Sequence, residues 1–193
     1  MPPPLCILTT CVATVITGSM SISVAKIQNA FDYLFKSLHN PAFAKSFGFQ
    51  HWNERELLPL VRAYLLGCFR QHMEPECWRD LPGSPSGWGV LDFIIGDIAV
   101  ELAVRPRDKA KARVSRLQNK NEVRKLMKHK GRGLLVLFDF SSAPLTEEEV
   151  NSFRENLPRL GKGHRRSPFQ LSYFYRTNTR PRRLEAQHMR IRV

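Results

Sequence analysis

The chain has 193 residues, 42% of them apolar, which lies in the globular range and is enough for one domain with its own core. Thirty Lys and Arg against 17 Asp and Glu give a net charge of +13, which points to a polyanionic partner, nucleic acid first, with a merely soluble basic protein as the alternative. Cys6, Cys11, Cys68 and Cys77 form no CxxC pair and sit near no histidine at zinc spacing, so the pattern excludes a zinc finger and a disulfide scaffold and fits a reducing, cytoplasmic setting.

Residues 1–20 read as an N-terminal extension. The apolar stretch 5–16 is too short and too threonine-rich to span a bilayer, and no basic segment precedes it as in a secretory leader. No membrane partner is expected. SISVAKIQNAFDYLF reads directly as a helix opening, which makes Met20 a second candidate for the natural start, with 1–19 upstream of it. Val24, Ile27, Phe31, Leu34, Phe35 and Leu38 follow a helical period that Pro41 ends, and a short helix follows through Phe49. Residues 21–50 are thus a helical extension. Asn53 and Glu56 spell a capping box for a helix with the stripe Leu57, Val61, Tyr64, Leu65 and Cys68. Pro59 inside that helix predicts a kink or a later start. Residues 81–89, LPGSPSGWG, are a turn-rich loop.

The segment 91–105, LDFIIGDIAVELAVR, reads as a β-hairpin. Gly96-Asp97 is a two-residue turn between apolar runs, so Ile95 pairs with Ile98 and, further out, Asp92 falls opposite Glu101. Side chains alternate along a strand, so Asp92, Glu101, Ala103 and Arg105 share one face. Phe93, Ile95, Ile98, Val100, Leu102 and Val104 cover the other and are core candidates. Paired like charges are destabilising unless compensated, and a divalent metal is the usual compensation. That points to metal-dependent phosphodiester chemistry. The bland alternative is a solvated sheet face.

Residues 106–131 form a basic segment, helical from about Val114 and stopped by Gly131. The continuous apolar run 134–140, LLVLFDF, fits a strand buried on both faces. Thr146 with Glu149 is a second capping box, opening a helix to about Leu157. Residues 161–167 are a basic loop, and 169–176, FQLSYFYR, read as a final strand. Residues 177–193 read as a loose basic tail. The order predicts an α/β domain over 51–176, with a mixed central sheet flanked by helices.

With Asp92 followed by Glu101-Leu102-Ala103 on a hairpin, and a helix before and after it, the chain resembles the PD-(D/E)XK nuclease superfamily, whose fold is restriction-endonuclease-like. The resemblance covers roughly 53–176. It implies that Asp92 and Glu101 hold Mg²⁺ or Mn²⁺, with the Leu102 carbonyl as a further ligand. It implies a third acid on the preceding helix, for which Glu54 is the match and Glu56 the reserve. The lysine of the family motif is replaced by Ala103. Arg105 on the same face, or Lys120 from the following helix, with Lys109 and Lys111 as further candidates, would have to replace it, or else catalysis is lost. Arginine stays protonated and stabilises charge without activating water. Restriction-like enzymes often pair, so the resemblance also implies a homodimer.

Arg107, Lys109, Lys111, Arg113 and Arg116 sit in a run too one-sided for an ordinary solvated helix, and with Lys162, Arg165 and Arg166 they are candidate phosphate contacts. The run as a solvated helix is the alternative. Three functions compete: a Mg²⁺-dependent nuclease, a degenerate scaffold that binds nucleic acid or a protein without cleavage, and a basic protein-interaction module.

Overall fold

The computed structural model describes residues 22–81, 87–107, 118–155, 157–160 and 166–193. The proposed N-terminal extension, 1–20, and the alternative start at Met20 lie outside them. The order is α1 (Val24–Leu38), α2 (Pro41–Phe47), a 3-10 turn at Phe49–His51, α3 (Glu54–Phe69), a second 3-10 turn at Arg70–His72, β1 (Met73–Asp80), β2 (Trp88–Ile95), β3 (Ile98–Arg105), α4 (Lys120–Lys128), β4 (Arg132–Asp139), α5 (Glu147–Asn151), β5 (Phe169–Arg176) and β6 (Leu184–Ile191). This is an α/β protein. Its N-terminal helices precede a six-stranded mixed sheet in sequential order, β1 to β6.

The sheet centre is parallel, β3 with β4 and β4 with β5, and both flanks are antiparallel. Parallel neighbours need crossovers, and α4 and α5 supply them. Two apolar clusters define three layers. Ile98, Val100, Leu102, Leu134, Val136 and Phe138 point to one face, under α1 and α3. Ala99, Ala103, Leu135, Leu137, Leu171 and Tyr173 point to the other, with α4 and the residues Val150 and Phe153. β4 is therefore enclosed on both sides, the physical reason its sequence is an unbroken apolar run.

α1 begins where the Ser23 hydroxyl accepts the Lys26 amide at 3.2 Å. Every apolar position expected of its stripe is buried. Phe35 sits 5.0 Å from Phe138 and 5.9 Å from Phe174, ring centre to ring centre. Each such side chain withdrawn from water contributes about 1.5–3 kcal/mol. The residues read as a helical extension thus lie in one core with the sheet. α3 starts at the expected capping box, with Asn53 Oδ1 accepting the Glu56 amide at 3.1 Å and the Asn53 amide donating to Glu56 Oε2 at 2.7 Å. It runs through Pro59 to Phe69 without a break in the helix, against the expected later start.

Three further elements differ from expectation. β1 was not anticipated. It is an edge strand carrying Pro75, which tolerates a missing amide donor only at an edge. α5 is short, with 3-10-type bonds from Phe153 to Val150 and from Arg154 to Asn151 ending it well before Leu157. Residues 184–191 are no loose tail: β6 pairs with β5 along its whole length, from Phe169↔Ile191 to Arg176↔Leu184. Of the basic segment, the described helix begins at Lys120 and ends at Lys128, short of Gly131. No helix among the described residues is long and apolar enough to cross a membrane.

Candidate active site

The hairpin forms as its turn chemistry demands. Gly96 takes φ 62, which a two-residue turn with glycine first requires, and Ile95↔Ile98 through Phe93↔Val100 are paired. A regular ladder would next join Leu91 and Leu102. Instead the Leu102 amide donates to Asp92 Oδ2 at 2.8 Å, so the carboxylate takes the place of a backbone acceptor between β2 and β3. The amide and carbonyl of a strand residue face the same neighbour, so the Leu102 carbonyl faces that gap too. On the other side, Pro75↔Phe93 and Cys77↔Leu91 are paired, while Glu76 between them has φ 50. A left-handed glutamate costs about 1–3 kcal/mol. The strain falls on the rung beside Asp92, where Arg62 of α3 holds Glu76 at 2.6 Å.

Glu101 is 1% exposed. Its face is no solvated surface: Ala99 and Ala103 on either side of it lie in the core that Val123, Leu126 and Met127 of α4 complete. α4 carries Lys125 over this face, its Nζ 2.8 Å from Glu101 Oε2. Glu101 Oε1 and, one turn back on α4, Glu122 Oε2 are buried with no hydrogen-bond partner among the described residues. Glu54, the first residue of α3, completes the group electrostatically. Burial, then the charges of Asp92 and Glu122, push its carboxyl up to about 7, with Lys125 opposing.

The same opposition runs through the cluster. Burial and then Asp92 hold Glu101 well above the usual carboxylate range, and Lys125 only partly offsets them. Burial raises Asp92 against the Leu102 amide and Lys125, which lower it. Burial pulls Lys125 down, but Glu101, Asp92 and Glu122 outweigh it and keep the ammonium above its ordinary value. Glu54, Asp92, Glu101 and Glu122 therefore surround one ammonium, and further positive charge would relieve them.

Oxygen donors with unmatched buried lone pairs suit a hard divalent cation. Mg²⁺ keeps several waters and needs only one or two carboxylates. Among the described residues no three His, Cys, Asp or Glu side chains are grouped so that they could hold a metal ion.

Glu54, Asp92 and Glu101 are thus brought together, and Glu56 is spent in the capping box. Arg105 is not with them. It is 7% exposed and bonds Asp139 Oδ2 at 3.2 Å and the Ala143 carbonyl at 3.0 Å. Asp139 also accepts from the Tyr173 hydroxyl at 2.7 Å and the Ser141 amide at 2.9 Å, a buried network that anchors the strand ends. Lys120 is exposed at the start of α4. Arg107 is exposed, its guanidinium 3.2 Å from Gln50 Oε1, and Arg166 is exposed. Lys109, Lys111, Arg113, Arg116, Lys162 and Arg165 lie outside the described residues.

Lys125 and Glu122 escaped the sequence reading. Their signal is their place beside the apolar stripe Val123, Leu126 and Met127, which turns them toward the rim of the sheet contact. No protein family, curated protein or solved structure matches this chain.

Proposed function

We propose that this protein is a divalent-metal-dependent nuclease-like enzyme that hydrolyses phosphodiester bonds in nucleic acid, DNA first, on a PD-(D/E)XK-type core. The observation that carries this reading is the Lys125 ammonium at 2.8 Å from Glu101, beside Asp92 on the neighbouring strand. It supplies from α4 the cation that Ala103 cannot supply from β3. Ala103 is 2% exposed beneath α4.

Asp92 and Glu101, with the Leu102 carbonyl, would hold Mg²⁺ or Mn²⁺, and Glu54 would hold a metal-bound water. When bound, the metal polarises the phosphate and lowers the pKa of that water. Lys125, kept protonated by its carboxylates, places positive charge where the phosphate gains negative charge and donates a hydrogen bond there. It does not act as a base. The net charge of +13 draws the polyanionic substrate toward the site.

Ala103 also favours a second reading, a scaffold that binds nucleic acid without cutting it. Incubating linear, circular and single-stranded DNA and RNA with Mg²⁺ or Mn²⁺ separates the two. Under the enzymatic reading, wild type cleaves at least one substrate, and Asp92→Asn, Glu101→Gln and Lys125→Met each lose about 100-fold or more. Salt-sensitive binding without cleavage, unchanged in all three variants, would overturn the enzymatic reading.

A further inference from the structure

A second polar site lies on the other face of the sheet. A pocket of about 40 Å³ opens at the carboxyl ends of the three parallel strands, where Arg107 follows β3, Ser141 and Ser142 follow β4, and Arg176 and Thr177 end β5. Arg182 and Asn178 from the β5–β6 connection, His39 from the end of α1, and Gln50 complete it. No carboxylate is among the described residues that line it. His39 and Phe140 stack at 5.4 Å, and Phe140 belongs to the α1–α3 core, so the pocket is separate from the α4 face that holds Glu101 and Lys125.

The walls are fixed rather than loose. The Thr177 amide donates to the Arg183 carbonyl at 2.8 Å, and the Arg183 amide returns a bond to Thr177 Oγ1 at 2.8 Å, closing the loop that carries Arg182. The Arg107 amide donates to the Gln50 carbonyl at 2.7 Å. The Ser141 amide is tied to Asp139 Oδ1 at 2.9 Å. His39 Nδ1 donates to the Phe35 carbonyl at 2.9 Å, so Nε2 is the ring nitrogen left over. Burial and then the nearby charge of Arg176 hold His39 below its ordinary pKa, opposed by its bond to Phe35. Like charges are thus gathered at a concave spot with no acid among the described residues that line it. Guanidinium forks match the oxygens of a phosphate, and the carboxyl ends of parallel strands are where α/β sheets bind ligands.

We infer that this pocket is a phosphate-binding subsite, with Arg107, Arg176 and Arg182 as its cations and the Ser142 and Thr177 hydroxyls beside them as further donors, the Ser141 hydroxyl being spent on the Ala143 carbonyl at 3.1 Å. It takes one phosphate group. The inference rests on the nuclease reading only for the source of that phosphate, a nucleic-acid strand held at a distance from the bond that is cut.

The test uses the full chain without divalent metal, so that its outcome is independent of the carboxylate site. Inorganic phosphate is titrated while the His39 ring resonance is followed by NMR, in wild type, Arg176→Gln, Arg182→Gln and Arg190→Gln. Arg190 removes the same charge from the far end of the sheet, opposite Gln170. The expected result is a saturable His39 shift in wild type and Arg190→Gln, weakened about tenfold or more in the other two variants. A single-stranded oligonucleotide with a 5′-phosphate is then compared with its 5′-hydroxyl twin. Tighter binding of the phosphorylated strand, lost in Arg176→Gln, assigns a terminal phosphate. Equal binding of both strands, weakened by Arg176→Gln and not by Arg190→Gln, assigns an internal one. No saturable shift at His39, or equal effects of Arg176→Gln and Arg190→Gln, would overturn the subsite while leaving the metal-dependent cleavage result standing.

Discussion

At Glu101 a carboxylate has left water, and breaking its pairing with Lys125 would leave a buried charge worth about 3–5 kcal/mol. Glu54 makes the electrostatic tension measurable. Its folded pKa is about 7 against an ordinary 4.5, so the folded state holds its proton more tightly than the unfolded state does. Its contribution is therefore favourable below about pH 4.5 and is lost as pH rises through about 7. The α3 N-terminus favours the anion by about 0.3–1 kcal/mol, and solvent at this half-buried position screens the rest. Glu54→Gln in EDTA is expected to stabilise the protein by about 1 kcal/mol at pH 7.5 and by nothing near pH 4.5, read from urea midpoints. A variant no more stable than wild type at pH 7.5 would contradict the crowded-carboxylate account. The register from Ile95↔Ile98 to Phe93↔Val100 was legible in the sequence because a two-residue turn sets it, but that the Asp92 carboxylate takes the ladder bond of the Leu102 amide was not. Lys125 was not, because which lysine reaches the sheet depends on where α4 begins, and basic residues on either side of that start look alike.

Among the elements, the central strands were the clearest. β4 and β5 are bounded by turn residues and filled with apolar or aromatic side chains, and both faces are covered. The edges were hidden by their own protection. β6 reads LEAQHMRI, with Arg190 and Glu185 facing water and only Met189 and Ile191 buried, and β1 carries Pro75. Charges and prolines keep an edge from pairing with another molecule, and they also erase the alternation that marks a strand. Ile191 is fully buried at the start of β5. Ile191→Ala is expected to destabilise the fold by about 2–4 kcal/mol in urea unfolding. A change below about 0.5 kcal/mol, the size of an ordinary surface substitution, would return residues 177–193 to a loose tail.

Across the whole molecule, one sheet separates two kinds of polar chemistry. Under α4 it holds carboxylates around an ammonium. At the carboxyl ends of its parallel strands, on the α1 side, it gathers arginines around a small pocket. The layered α/β plan was legible from helix and strand periods, and the N-terminal helices were legible too, though not that they would share the main core. That sharing follows from Phe31 and Phe35, whose partners Phe138 and Phe174 lie far along the chain. Calorimetric titration of the full chain with Mn²⁺ decides whether Asp92 and Glu101 form a divalent-cation site. The expected result is one saturable site, heats that vary with the buffer because binding expels protons from the raised carboxyls, and affinity weakened about tenfold or more in Asp92→Asn. Absence of saturable binding in wild type, or binding that Asp92→Asn leaves unchanged, would contradict it.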